Sequence, residues 1–129
     1  MSEIITDKLT GKTAAGDVTI TTGSSTMQLQ QGVAKAWLSS DATTSLYNSL
    51  NISSGTDHGT GDYSHTLTNA YSNRVEYSQA GAVYTSAGGA TITRNSSRDA
   101  AGIIAVEVTN AAGTSADSSL NVMTHGDLA

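Results

Sequence analysis

The chain has 129 residues, 13% of them charged and 37% hydrophobic, a net charge of −5, and no cysteine, proline or phenylalanine. One domain's worth of chain, with room for an arm, is the expectation from that length. Six scattered basic residues make no phosphate-binding patch, the lack of cysteine excludes disulfides and thiolate chemistry, and no apolar run approaches the ~20 residues that span a membrane.

The opening residues Met1-Ser2-Glu3-Ile4-Ile5 lack a basic region followed by an apolar one, so no signal peptide is expected. Up to residue 31 the composition differs from the rest. Ile4, Ile5 and Leu9 precede Gly11-Lys12-Thr13-Ala14-Ala15-Gly16, and Asp17-Val18-Thr19-Ile20-Thr21 then alternates polar and β-branched residues as a half-buried strand does. After Gly23-Ser24-Ser25, the run Thr26 to Gln31 fits a helical turn or a strand. With so few apolar residues this segment cannot fold alone. Residues 1–31 are therefore expected to be an extended arm for anchoring and oligomerisation, working through Ile4, Ile5, Leu9, Val18 and Ile20.

From Gly32 onward turn signals recur at the spacing of an all-β domain. Val33, Lys35 and Trp37 share one face of the first strand, and Ala34, Ala36 and Leu38 share the other. Leu46 to Ile52 alternates next. Ser53-Ser54-Gly55 and Gly59-Thr60-Gly61 bracket an expected loop, and Asp62 to Thr68 follows as a strand with Tyr63, His65 and Leu67 in register. Val75 to Tyr84, Ala90 to Arg94, Ile103 to Val108 and Leu120 to Met123 complete about seven strands. The expected fold is a small antiparallel β-sandwich over 32–124, with a C-terminal tail at 125–129 that holds His125. Charge is about half the usual ~25%, and 19 Thr and 18 Ser take its place. Such a chain suits strands packed through small and β-branched residues and subunits that share a core. A homo-oligomer is expected.

Three runs carry a family resemblance: Gly32-Val33-Ala34-Lys35-Ala36-Trp37, Ser49-Leu50-Asn51-Ile52-Ser53-Ser54, and Asp57-His58-Gly59-Thr60-Gly61-Asp62-Tyr63. With the alternating stretch to Leu67 and the closing strands from Ile103 to Val122, they resemble small virion surface proteins of tailed bacteriophages. The segment from Ser2-Glu3-Ile4 through Lys8-Leu9-Thr10-Gly11 is similar to leaders that open phage fibre and decoration proteins. Residues 38–46 and 69–101 depart from the pattern, so no loop-borne specificity is carried over. The resemblance implies a tail-fibre, head-fibre or capsid decoration protein, trimeric, made in the bacterial cytoplasm and bound to a major capsid or tail protein on the virion. It implies no cofactor.

The residues offer little chemistry of their own. Asp57, His58, Asp62 and His65 form the densest group of potential metal ligands, but their spacing matches neither an EF-hand nor a zinc motif. An Asp at a glycine-rich turn ordinarily caps its own backbone. No metal site is expected. The many serines include no Gly-x-Ser-x-Gly elbow, and the chain is short for a glycan-cleaving β-helix, so a non-enzymatic protein is expected. Without phenylalanine the aromatic residues must fill the core, and Trp37, Tyr63 and Tyr77 are assigned there. Tyr71, in the turn Asn69-Ala70-Tyr71-Ser72-Asn73, is expected at the surface, where it would contact a ligand. The alternative function is a receptor-binding module that recognises a host surface glycan.

Overall fold

Runs of alternating β-branched and small residues become ten strands, and every regular element among the described residues is a strand. A computed structural model describes residues 18–22, 25–28, 33–84 and 90–126. The chain divides into two units, Met1–Val33 and Ala34–Ala129. In the first, β1 (Thr19–Thr22) pairs antiparallel with β2 (Ser25–Gln28), with Ile20 and Met27 partners in the backbone register. The start of the ambiguous stretch at Thr26 is thus strand. Val18 immediately precedes β1. Ile4, Ile5 and Leu9 lie outside the described residues.

The second unit is an antiparallel β-sandwich. Sheet I contains β3 (Ala36–Ser40), β4 (Leu46–Leu50), β7 (Tyr77–Tyr84) and β10 (Ser119–Gly126), in the order β4-β3-β10-β7. Sheet II contains β5 (Ile52–Gly59), β6 (Asp62–Leu67), β8 (Ala90–Arg94) and β9 (Ile103–Asn110), in the order β5-β6-β9-β8. There are eight strands here rather than seven. The additional one is β5, whose serines and glycines read as a loop but which pairs along its length with β6. Only the turn at Thr60–Gly61 remains of that expected loop. Likewise β10 runs through Gly126, so His125 is a strand residue opposite Ser78 rather than part of a tail.

The chain changes sheets at Asn51, between β4 and β5. This residue takes a left-handed backbone, φ 62°, which asparagine tolerates better than most side chains. Its carbonyl and side chain fix the corner. Thr68 N–H donates to its main-chain oxygen at 3.0 Å, Asn69 N–H donates to Oδ1 at 2.7 Å, and its Nδ2 donates to the Asn69 carbonyl at 3.0 Å.

Ala36, Leu38, Leu120 and Val122 of sheet I face Tyr63, Leu67, Ile104, Val106 and Val108 of sheet II to make the core. Tyr63 and Tyr77 are buried as expected. Tyr71 is also core, only 1% exposed, which overturns its expected place at the surface. The crossover from β6 to β7 turns it inward. Its ring stacks on Tyr77 with centroids 4.6 Å apart, its hydroxyl bonds Thr124 Oγ1, and its N–H donates to the Ala101 carbonyl at 2.8 Å. A phenol held in this way is not available to a surface ligand.

Candidate functional site

Trp37 is the largest departure from the expected core. It lies half-buried on the solvent face of β3, because Ala36 and Leu38 take the inward positions. The register of β10 explains the choice. Its inward residues Leu120, Val122 and Thr124 pair with Ser40, Leu38 and Ala36, which leaves Met123 opposite Trp37 and Asn121 opposite Ser39 on the outside. Putting Trp37 inward would turn all of those residues over.

The pairing continues across all four strands. One outward row reads Leu50, Trp37, Met123, Ala80, and the next reads Asn48, Ser39, Asn121, Ala82. The first row is wholly apolar; the second carries two amides and a hydroxyl. Neither contains a charge. Because Ala80, Gly81 and Ala82 are small beside the indole and the methionine, the face has a depression of about 430 Å³ whose lining includes Trp37, Ser39, Ala80, Ala82, Asn121 and Met123. That volume suits a small ligand or a partner's side chains. A contiguous outward apolar row on a small domain marks a contact surface more often than chance exposure does.

The titratable residues singled out from the sequence do not converge. Asp57 Oδ1 accepts from Gly59 N–H at 2.9 Å, the local cap expected of a turn. His58 Nε2 shares a 2.8 Å hydrogen bond with Ser64 Oγ. Asp62 accepts from Arg98 Nε at 2.7 Å and from Asn95 Nδ2 at 3.0 Å. His65 points the other way, fully buried, and neither ring nitrogen has a hydrogen-bond partner among the described residues. Burial pushes its pKa down to about 4. No group of three or more His, Asp or Glu among the described residues is placed to hold a metal ion.

Two other polar clusters tie the sandwich together. Asp99 pairs with Arg94 and accepts from Tyr77 Oη, while the Arg94 guanidinium lies 4.0 Å from the centre of the Tyr77 ring. Burial, with the Asp99 hydrogen bond next, raises the Tyr77 hydroxyl well above its ordinary value. Around Asp117, Oδ1 accepts from Tyr63 Oη at 3.0 Å and from Gly61 N–H at 2.8 Å. Burial and then the Asp117 bond push Tyr63 up to about 12. These groups hold β6, β7 and the loop before β10 in place. Apart from Arg94 and Asp99, the paired residues lie 22 to 56 positions apart, and no pattern in the sequence joins them.

Comparison with known protein families, curated proteins and solved structures finds no match.

Proposed function

We propose that this chain is a non-enzymatic structural protein of a phage virion, either a capsid decoration protein or a short head or tail fibre. The N-terminal segment attaches it to the major capsid or tail protein, and the sandwich carries its exposed contact face. The observation that supports this reading is the outer side of sheet I, where an apolar row spans four strands beside an uncharged one. A surface of that kind works by contact. Asp57, His58 and Asp62 are engaged in a turn, a hydrogen bond and an ion pair within the fold, and His65 is sealed in the core. The virion setting rests on the sequence resemblance. Mass spectrometry of gradient-purified particles from the producing host tests it. Peptides of this chain should be present in fixed proportion to the major capsid protein, and their absence from particles would sink the proposal.

A second reading, glycan recognition, is favoured by one feature. The Trp37 indole stands beside Ser39 and Asn121, which supplies a stacking surface and hydrogen-bonding groups with no charge. It predicts that Trp37→Ala abolishes adsorption of particles to host cells while the particles still assemble and still carry the protein. Unchanged adsorption would rule it out.

A further inference from the structure

Each sheet of the sandwich has two edge strands, and three of the four are guarded. The strand β4 is five residues long, and its pairing with β3 shifts between Ser39 and Ser40. In β5, two register shifts and the side chains of Asp57 and His58 interrupt the edge. The short β8 ends in Arg94, which is paired with Asp99. Shortness, bulges and charge are the ordinary devices that keep sheet edges from joining.

The fourth edge, β7, is guarded only at its first residue, where Arg94 Nη1 donates to the Tyr77 carbonyl at 3.3 Å. Tyr77-Ser78-Gln79-Ala80-Gly81-Ala82-Val83-Tyr84 is eight residues long, without charge or proline, and pairs with β10 in unbroken register. Among the described residues no strand is hydrogen-bonded to its other side. An antiparallel strand directs about half its backbone N–H and C=O groups to each side, so beyond Tyr77 this edge presents a row of donors and acceptors with no strand bonded to it.

We infer that β7 pairs antiparallel with the β7 of a second copy of this chain, about a two-fold axis at Gly81, joining two copies of sheet I into one eight-stranded sheet. Opposed residues in a sheet must lie on the same face, so the axis has to pass through a residue position rather than between two. At Gly81 it sets outward Ala80 against Ala82 of the second copy, and Ser78 against its Tyr84. Small residues meet at the centre, and no like charges are opposed. That matters for a chain of net charge −5, whose copies approach most easily along an uncharged seam. Tyr84, 81% exposed at the end of the strand, gains a neighbour in the joined sheet. The depressions of the two copies, each lined by Ala80 and Ala82, then open onto one trough walled by both Trp37 side chains.

Sedimentation equilibrium of the full chain, over roughly a hundred-fold range of concentration, tests the pairing. The wild type should associate into an even-numbered oligomer. The A80K/A82K variant places four lysines at the seam, on outward positions that leave the core intact. It should weaken that association at least ~10-fold, and at concentrations low enough for both proteins to be monomeric it should melt as the wild type does. The matched variant S54K/T56K, on the β5 edge, should associate as the wild type does. A monomeric wild type, an odd-numbered oligomer, or an A80K/A82K chain that associates as tightly as the wild type would overturn the inference. Each of these results is independent of whether the protein is found in phage particles.

Discussion

His65 is a full imidazole sealed in the sandwich with neither nitrogen hydrogen-bonded to another described residue. An unmade bond on a buried polar group costs on the order of 1–3 kcal/mol, and an apolar side chain of similar size avoids that cost. The same burial makes stability depend on pH. The unfolded imidazole takes a proton near its ordinary 6.5, whereas the folded one does so only near 4. Between those values the unfolded state binds the extra proton. Stability is therefore whole above pH 6.5, falls as the pH drops, and has lost the full contribution, ~3 kcal/mol, below pH 4. Thermal melts of the wild type and His65→Leu at pH 7 and pH 4 check this. The gap between the two proteins should widen in acid, and a constant gap would remove His65 as its source. At Tyr63 the expected effect is smaller. Tyr63→Phe removes the 3.0 Å hydrogen bond to Asp117 and leaves Ser118 N–H without its phenol acceptor, which should cost ~1–2 kcal/mol in a denaturant melt at pH 7.

At the level of elements, the corner at Asn51 decides how β4 becomes β5 and so where sheet I hands over to sheet II. Two contributions are separable by mutation. Asn51→Gly keeps the left-handed backbone and loses only the side-chain bonds to Asn69, whereas Asn51→Ala loses those bonds and adds a strained φ. The alanine should cost ~1 kcal/mol more than the glycine, the penalty of a Cβ in that conformation. Chemical denaturation of both variants measures the difference, and equal midpoints would mean the turn is not what holds the corner. Most strands were legible because period-two alternation survives in single sequences, as in Tyr63, His65 and Leu67 of β6. The alternation separates the two faces of a strand without saying which is inside. In β3 that choice belongs to β10 through the Leu38–Val122 and Ala36–Thr124 pairs, contacts more than 80 residues apart in sequence, and bulk alone pointed Trp37 the wrong way. Tyr71 was misread for a related reason. It sits in a turn by local composition, but that turn crosses between sheets, and a crossover can drop one side chain into the core. The contact face was illegible for the same cause as Trp37, since its two rows exist only once four strands are in register.

At the scale of the whole molecule, the core and the supporting clusters formed by the described residues belong to the second unit. Every residue of the core cluster falls between Ala36 and Val122, and the two polar clusters lie between Gly61 and Asp117. Burial of those side chains is the main favourable term in the fold. Removing residues 1–31 leaves every one of those side chains in the chain. The truncated chain should therefore unfold in one cooperative transition within a few degrees of the full-length protein, as read by circular dichroism. If the N-terminal segment is the anchor, the same truncation should leave the sandwich soluble and absent from particles when it replaces the full-length protein during infection. The paired result separates the two roles. A truncated chain that folds and still decorates particles would move the attachment site to the sandwich, with the Trp37 face as the surface to test next.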